Sequence, residues 1–462
     1  MPAGWALASL REVVSKAQSG GTPLTSKREY YGGLIPFVRI EDMVSSGKYL
    51  DQTKTTITQR GLDHSSAWLV PENSLLYSMY ASYGVPVINK IPVATNQAII
   101  ALIPESGILL DYLYYYLLSY KARLRAQIRG TTQENLNAAV VTKLPVPVAP
   151  TREQERIVSS IEELFSRLDS GVASVEKTRE LAKRFKQSVL KVAFEGRLTA
   201  RWREVNRPRD AIELLSELRG STKLASTDSE TPKTRLPRTW VWAKIKEICT
   251  LINGRAFKPS EWAYGGLPII RIQNLNGPDS IFHYCDFEVD DKFIVENKQL
   301  LFGWSGTPGT SFGAHIWNGG KAVLNQHIFK VMIDERKVNK VWLMHLLNSR
   351  ILEYVSKAHG TAGLAHITKG KFEGSYVPLA PTEEQGKIAE SIDLILSVAD
   401  SVEGNARLIS EQSASLRQSI LASAFRGLLV PQNPDDEPSD ALLRRIVAAR
   451  PRNRRNRFGN SA

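Results

Sequence analysis

Residues 149–170 read APTREQERIVSSIEELFSRLDS, and residues 380–401 read APTEEQGKIAESIDLILSVADS. Both belong to a longer match, in which 149–198 aligns with 380–429 at a constant offset of 231 and without a gap. The match contains 19 identities in 50 positions, against about three expected from average composition alone. Because the offset is half of the 462-residue chain, the sequence predicts a duplicated pair of domains rather than a stacked repeat.

Each copy is predicted to form one long helix. The copies begin with the tetrads TREQ at 151–154 and TEEQ at 382–385, which fit a capping box with threonine as N-cap and glutamine at the third helical position. Gly196 and Gly427 suit the C-terminal ends. About 44 helical residues would give a rod of roughly 65 Å.

Apolar residues recur in each copy with an alternating spacing of four and three, which is typical of a coiled coil. With one such helix in each copy, the two helices are predicted to pair with each other. Small residues such as Gly171 and Ala406 imply close approach and also weaken the contact. The alternative is that each helix packs against its own domain. The predicted interface residues are Ile157, Ile161, Leu164, Leu168, Val175, Phe185 and Val189, with Ile388, Ile392, Ile395, Val402, Ile409, Leu416 and Ile420.

The composition favours a polyanionic partner and a reducing compartment. A formal net charge of +13 attracts nucleic acid, although solubility alone would also account for it. Two cysteines, Cys249 and Cys285, are too few for a disulfide framework. The N-terminus lacks signal-peptide character, and no apolar run reaches the roughly 20 residues of a membrane span. We therefore expect a cytoplasmic protein without a membrane partner.

The globular blocks before the two long helices also match. GLIPFVRI at 33–40 corresponds to GLPIIRI at 266–272, and further matched pairs are Asn96-Gln97 with Asn325-Gln326 and Gly130-Thr131 with Gly360-Thr361. Each block mixes short β-rich runs with a helix. The predicted segments are a first block at 1–148, a first long helix at 149–200, a short helix and linker at 201–236, a second block at 237–379, a second long helix at 380–430, and a short helix with a basic tail at 431–462.

The sequence lacks the motifs of the common catalytic sites. It contains no phosphate-binding GxxxxGK[ST] loop, no Asn/Asp-Pro-Pro-aromatic motif for amino-methylation and no glycine-rich dinucleotide fingerprint. His283 and Cys285 are potential metal ligands, but no second pair stands at zinc spacing. We therefore predict no catalytic residue, no metal and no cofactor in this chain.

The duplicated set of motifs resembles the DNA specificity subunit of type I restriction–modification enzymes. The resemblance is carried by the paired APTxEQ starts, the paired QS-hydrophobic-L…AFxGxL endings and the G-hydrophobic-PxxRI segments of both blocks, in this order, and it covers about residues 1–430. It implies an α+β fold, with two pseudo-symmetric mixed α/β target recognition domains separated by two long helices that form an antiparallel coiled coil and act as the spacer.

The same resemblance implies a function. In that family each block reads one half-site of a split double-stranded DNA target. The subunit is not catalytic and serves in antiviral defence. It scaffolds two modification (adenine methyltransferase) subunits and, in the restriction complex, motor-nuclease subunits. S-adenosylmethionine, ATP and magnesium are then expected on those partner subunits.

Positions shared by both blocks cannot alone distinguish two half-sites, so we assign them first to framework or phosphate contacts. Base readers are expected where the blocks diverge in polar or glycine-rich segments, at 77–84, 132–135, 303–313 and the turn through His366. Alternatively, the aromatic residues belong to the core and the Gly/Ser runs are surface turns. The candidate DNA-binding residues are Arg39, Tyr77, Ser78, Tyr80, Tyr83, Asn96, Gln97, Arg129, Thr131, Thr132, Gln133, Asn135, Arg271, Asn274, Trp304, Ser305, Thr307, Thr310, Asn325, Gln326, His359, Thr361 and His366.

Two other hypotheses stay open at this point. A pure protein-assembly scaffold would bind partner subunits through its blocks and would show no salt-sensitive affinity for DNA. An enzyme with an unrecognised site would show turnover by the isolated chain that a point mutation abolishes.

Overall fold

Two compact units make up the chain, each with its own core. They are Met1–Val175 with Leu408–Ala462, and Glu176–Arg407, so the chain passes from one unit to the other within each long helix. The computed structural model describes residues 1–79, 84–128, 137–220, 231–275, 281–308, 310–357 and 365–450.

The first block consists of small sheets and short helices. One sheet has five strands in the order β2-β9-β6-β7-β4, another has three in the order β5-β3-β8, and β1 pairs with β10. The strand Ile99–Pro104 reads IIALIP and lies between two neighbours, which suits a strand covered on both faces. The elements are β1 (Ala6–Ser9), α1 (Leu10–Val13), β2 (Val14–Ser19), β3 (Tyr31–Val38), α2 (Ile40–Ser45), β4 (Tyr49–Leu50), β5 (Thr55–Ile57), α3 (Gln59–Asp63), β6 (Leu75–Ser78), β7 (Pro86–Asn89), β8 (Ala94–Thr95), β9 (Ile99–Pro104), α4 (Leu110–Ile128), α5 (Ala138–Thr142) and β10 (Pro145–Val148).

The rest of the chain repeats this plan. The second block has two four-stranded sheets, in the orders β12-β20-β16-β18 and β14-β13-β19-β15, and the pairs β11-β22 and β17-β21. The elements are α6 (Thr151–Phe194), α7 (Ala200–Asn206), α8 (Ala211–Arg219), β11 (Val241–Lys244), α9 (Ile245–Ile248), β12 (Thr250–Asn253), β13 (Leu267–Ile270), β14 (His283–Cys285), β15 (Ile294–Val295), β16 (Leu300–Gly303), β17 (Ser305–Gly306), β18 (Gly313–Ile316), β19 (Ala322–Leu324), β20 (Ile328–Met332), α10 (Lys340–Ser349), α11 (Ile351–Lys357), β21 (Ala365–His366), α12 (Lys369–Glu373), β22 (Tyr376–Leu379), α13 (Thr382–Ala424) and α14 (Ser439–Ala449). The α+β class and the two long helices, α6 and α13, are as predicted.

Polar residues at the start of α6 bind the helix to the first block. Thr151 lies in the first turn, and its hydroxyl donates to the backbone oxygen of Gly107 at 3.0 Å. The side-chain oxygen of Gln154 accepts from the backbone N–H of Leu109 at 2.9 Å, and its Nε2 donates to the oxygen of Ala149 at 2.8 Å. Both side chains therefore bind the backbone of the loop that precedes α4.

The start of α13 builds the same connection in the second unit. The Thr382 hydroxyl donates to the backbone oxygen of Lys337 at 2.9 Å, and the Gln385 side-chain oxygen accepts from the N–H of Asn339 at 2.8 Å. The Nε2 of Gln385 donates to Ala380 at 2.8 Å. The predicted capping boxes are wrong, because in both copies the threonine and glutamine bind a distant loop of the block.

Within each unit the two long helices pack antiparallel. In the first unit, Ile157 near the start of α6 shares a core cluster with Leu421 near the end of α13, and farther along Asp169 forms an ion pair with Arg417. In the second unit, Lys186 of α6 pairs with Asp400 and, at 3.0 Å, with Glu403.

The interface between α6 and α13 differs from the predicted one, because three of the large apolar residues predicted to be buried in it are exposed. Phe185, Ile409 and Leu416 are about half exposed, so they lie at its edge and not within it. The reason is that the buried positions towards the middle are small, such as Ala182 and Ala399, and let the helix backbones approach closely. Of the other predicted residues, those buried are Ile157, Ile161, Val189, Ile388, Ile392 and Ile420, and those half-buried are Leu164, Leu168, Val175, Ile395 and Val402.

The segment after α13 completes the first block. The backbone N–H of Ser439 donates to the oxygen of Gly4 at 2.9 Å, and Leu442 is buried in the core of this block. The guanidinium of Arg450 donates to backbone oxygens of Arg11 and Val14 at 2.9 and 3.1 Å. The segment after α6 has the same role in the second unit, where Ala211, Leu214 and Leu215 of α8 join the core of the second block.

Glu384, in the first turn of α13, is fully buried and surrounded by hydrogen-bond donors. Its carboxylate accepts from Nε of Arg203 at 3.0 Å, from Nε1 of Trp240 at 2.8 Å and from the hydroxyl of Thr199 at 2.6 Å. Thr199 and Arg203 follow α6, whereas Trp240 opens the second block. One buried charge therefore joins three parts of the second unit.

Glu153 holds the same repeat position in the first unit but lacks this set of donors. It is buried, and among the described residues its Oε1 has no hydrogen-bond partner. Burial raises the pKa of Glu153 despite the Trp5 side chain and the positive charge of Arg156, which both lower it, and the carboxylate of Asp436 adds to the rise.

We expect Glu384→Gln to lower the free energy of unfolding at pH 7 by about 2 kcal/mol, because Arg203 loses its buried counter-charge. Glu153→Gln should raise it. A raised carboxyl pKa means that the folded chain binds the proton more tightly than the unfolded chain, so stability falls as pH rises through that pKa. Urea unfolding of each variant measures both effects. Equal losses in the two variants would contradict the assignment.

Candidate nucleic-acid interface

The polar positions shared by the two blocks lie at the ends of neighbouring parallel strands. In the first block β3 pairs parallel with β8, with Val38 opposite Thr95, so Arg39 and Asn96 both follow the paired ends. Because parallel strands end at the same edge of a sheet, Arg39 and Asn96-Gln97 meet at this edge.

The second block repeats this edge. β13 pairs parallel with β19, with Ile270 opposite Leu324, so Arg271 and Asn325-Gln326 follow the strand ends. The backbone N–H of Asn325 donates to the oxygen of Ile270 at 3.0 Å, which extends the pairing beyond the strands. The two pairs of segments matched in the sequence are thus brought together in each block.

A glycine in each block lets a third segment approach this edge. A Cβ atom on Gly20 would lie 1.9 Å from the backbone oxygen of Thr95, and one on Gly254 would lie 2.1 Å from that of Asn325. In the first block the hydroxyl of Thr22 then reaches Oε1 of Gln97 at 2.5 Å. These glycines were not predicted, although each directly follows the second strand of its block, β2 or β12.

Short hydrogen-bonded turns fix the backbone at the two arginines. The N–H of Arg39 donates to the buried carboxylate of Asp42 at 2.8 Å, and the N–H of Arg271 donates to Oδ1 of Asn274 at 3.0 Å. The Nδ2 of Asn274 donates to the backbone oxygen of Ile281 at 3.2 Å. Asn274 is buried and uses its amide inside the block, so in this structure the amide is not presented to DNA, and the predicted contact stays untested.

The side chain of Arg271 lies beside the stacked aromatic rings of Trp262 and His283. Its guanidinium lies 5.2 Å from the ring centre of Trp262, which stacks on His283 at 3.8 Å. Burial lowers the pKa of Arg271, and burial together with the charge of Arg271 lowers the pKa of His283. Among the described residues, no acidic group lies within 4.0 Å of the Arg271 or Arg39 guanidinium. Such cations are suited to phosphate groups. Trp262 and His283 were not predicted.

Several predicted base readers of the second block meet beside Gln326. Trp304 donates through Nε1 to the backbone oxygen of Gln326 at 3.1 Å, and its ring lies edge-on to His366 at 4.6 Å. β17 pairs with β21, which places Ser305 opposite His366. Trp304 and Ser305 are half-buried, and Gln326 and His366 are exposed.

The neighbouring threonines form a turn of their own. The hydroxyl of Thr310 donates to the backbone oxygen of Thr307 at 3.0 Å, and both residues are exposed. Their side chains are therefore available at the surface but do not belong to the group formed by Trp304, Gln326 and His366.

In the first block the predicted readers of β6 are buried. The ring of Tyr77 is part of the core, and burial raises its pKa well above the usual range. The hydroxyl of Ser78 accepts from the N–H of Val85 at 3.0 Å. All four residues of β6 are buried, so neither side chain is presented at the surface of this structure, and the prediction that they read bases stays untested. The remaining candidates, Tyr80, Tyr83, Arg129, Thr131, Thr132, Gln133, Asn135, His359 and Thr361, lie outside the described residues.

No metal-binding arrangement is found in the part of the chain that the structure describes. There, no group of three or more histidine, cysteine or acidic residues is placed to hold an ion. The Sγ of Cys285 donates to the backbone oxygen of Phe287 at 3.4 Å, and His283 stacks on Trp262. Of the described helices, none combines the length and the apolar character that a bilayer span requires.

Comparison with known proteins identifies similar sequences. A family model described as the type I restriction modification DNA specificity domain matches residues 2–174 and 237–404, once in each half of the chain. The StySPI specificity subunit of the type I restriction enzyme from Salmonella potsdam is 24% identical, over 97% of this chain and 96% of that protein. The EcoKI specificity subunit from Escherichia coli strain K12 is 23% identical over the same shares, 97% and 96%.

Solved structures show the same fold. A chain from a study of complex assembly and conformational transition in the type I restriction–modification system has a TM-score of 0.69 at 17% identity, covering 93% of this chain and 99% of that chain. The HsdS subunit from Thermoanaerobacter tengcongensis has a TM-score of 0.54 at 17% identity, with coverages of 93% and 98%.

We expect Arg39→Gln and Arg271→Gln each to weaken binding of the purified chain to duplex DNA. Each substitution should also reduce the slope of log affinity against log salt by about one, because one phosphate contact is lost. Fluorescence anisotropy across a salt series measures the slope. Arg336→Gln is the matched control, since Arg336 is exposed and paired with Asp334 on the surface. If the control changes the slope as much, overall charge explains the effect and the assigned contacts do not.

Proposed function

Because this chain belongs to the type I restriction–modification DNA specificity family, we propose that its two globular blocks read the two half-sites of a split DNA target. It is a non-catalytic specificity subunit of such a system. The observation that carries the proposal is the polar strand edge that occurs once in each block, with Arg39 beside Asn96-Gln97 and Arg271 beside Asn325-Gln326.

The shared and the divergent residues have different roles in this proposal. Arg39 and Arg271 contact phosphates, which places each block on the duplex without reading sequence. In the second block, the group of Trp304, Gln326 and His366 offers donors, acceptors and an aromatic face beside that anchor. Because the two blocks differ in sequence at the segments expected to read bases, 77–84 and 303–313, the two half-sites are expected to differ.

We further propose that the chain scaffolds two adenine methyltransferase subunits and, in the restriction complex, motor-nuclease subunits. S-adenosylmethionine, ATP and magnesium would then be bound by those subunits. Exposed apolar side chains on the long helices support protein contacts. In the second unit these include Leu181 and Phe185 of α6 and Leu394 and Val398 of α13.

A methylation map tests the recognition role. When the chain is produced with its modification subunit in a host that lacks DNA methylation, N6-methyladenine should appear in one split sequence motif. Replacing residues 1–148 with the matching block of a relative should change one half of that motif, and replacing 237–379 should change the other half.

The block exchanges control for each other, since each leaves one half-site unchanged. Methylation without sequence preference, from a complex of normal composition, would contradict the proposal. It would favour the alternative in which the chain only assembles partner subunits.

The length of the long helices should set the number of base pairs between the half-sites. We expect that seven residues inserted into both α6 and α13 will lengthen the spacer and leave both half-sites unchanged, because seven residues preserve the 3.5-residue period. The methylation map of the lengthened chain measures this. An unchanged spacer would show that the helices do not determine the spacing.

A further inference from the structure

In the first block, a short glycine loop interrupts β3, the central strand of the three-stranded sheet. Tyr31 and Ile35 of β3 both pair with Ile57, so residues 32–34 loop out of the strand. Leu34, in this loop, is 98% exposed. A Cβ atom on Gly33 would lie 2.5 Å from the backbone oxygen of Ile57, so only glycine allows the loop to lie this close to β5.

The second block has the same irregularity at the same place. Ala263 and Pro268 both pair with Tyr284, and Leu267 pairs with Cys285, so residues 264–266 loop out. Tyr264 is fully exposed, at 107% of the reference value. Gly266 has a φ of +106°, and a Cβ atom on it would lie 2.2 Å from a backbone oxygen.

Both loops lie within a YGGL sequence, at 31–34 and 264–267, of which residues 32–34 loop out in the first block and 264–266 in the second. Leu34 and Tyr264 are the two most exposed large apolar side chains in the described part of the chain, followed by Ile281 at 85%. A strand bulge re-aims a side chain, and such bulges are common beside functional sites. The exposed residue is the last of the four in the first block and the first of the four in the second. Each of two otherwise diverged blocks therefore presents one large apolar group from a corresponding loop, which indicates a contact made twice.

The surroundings of the loops identify the partner. Next to the first loop, Lys27, Arg28 and Arg60 have no acidic group within 4.0 Å among the described residues. Next to the second loop, Tyr264 borders a cavity of about 780 Å³ that is also lined by Trp262, whose ring lies beside the Arg271 guanidinium. The cavity is further lined by Asp286 and by Arg255 and Glu261, which form an ion pair with each other. An exposed apolar side chain beside cations that have no acidic partner, which are Lys27, Arg28 and Arg60 in the first block and Arg271 in the second, matches DNA, which has an anionic exterior and apolar stacked bases.

We propose that Leu34 and Tyr264 are wedge residues, which insert between stacked base pairs, one in each half-site. This inference rests on the proposed function, since it requires that each block binds duplex DNA. The inserted side chain partly unstacks one base step and kinks the duplex towards the block. Phosphate contacts from the neighbouring cations hold the kinked backbone.

The experiment uses the complex of the chain with its modification subunit and a duplex that contains the mapped target. 2-Aminopurine, which becomes brighter when it loses stacking, is placed at successive positions of each half-site. For the wild-type complex we expect enhanced fluorescence at one step in each half-site. Leu34→Ala should abolish the enhancement in the half-site read by the first block only, and Tyr264→Ala that in the other only. Each should weaken binding by about tenfold.

Leu24→Ala and Ile281→Ala are the matched controls, because they remove exposed apolar side chains outside the loops. Tyr264→Leu keeps an apolar wedge and should retain the enhancement. Unchanged fluorescence and affinity in both alanine variants would overturn the proposal. So would normal DNA unstacking with loss of the modification subunit, which would identify a protein contact. Failure of the wild-type complex to prefer the target over unrelated duplex would instead contradict the proposed function.

Discussion

The hydrogen bonds of one buried glutamine at the start of each long helix fix the direction in which that helix leaves its block. Gln154 and Gln385 are fully buried, and each binds the backbone of the loop ahead of the last major helix of its block. A buried amide that lost these partners would cost about 1–3 kcal/mol. A change of angle at this point would displace everything farther along the helix, so the geometry of each unit depends on this contact.

The two units differ most in how the buried glutamate next to this connection is hydrogen-bonded. In the second unit the carboxylate of Glu384 is satisfied by Arg203, Trp240 and Thr199. In the first unit Glu153 has the same position, but its Oε1 lacks a partner among the described residues. The duplication has therefore preserved the backbone connection while the surrounding charges have diverged. The polar strand edges have diverged in the same way: each block keeps its arginine, Arg39 or Arg271, and the residues around the arginine differ.

The features that could be predicted from the sequence are those that depend on residues close together in the chain. The duplication and the four–three spacing of apolar residues are sufficient to predict both long helices. Contacts between distant segments were not predictable: Thr151 binds Gly107 instead of capping its helix, and Phe185 lies at the interface edge because the helices approach through small residues. The polar and aromatic composition around Tyr77 does not indicate that β6 is buried on both faces. Most of the candidate base readers in the first block lie outside the described residues.

The order of segments along the chain has a consequence for biosynthesis. The first unit is completed by α14 and Arg450, which bind the backbone of Gly4, Arg11 and Val14 from more than 400 residues away in sequence. The second unit is continuous between Glu176 and Arg407 and contains all of its own parts. During translation the second unit is therefore complete before the first, although the first block leaves the ribosome earlier. Until α13 and α14 have been synthesised, the core of the first block lacks the apolar side chains of these helices and exposes apolar surface, the condition in which nascent chains aggregate or need chaperones.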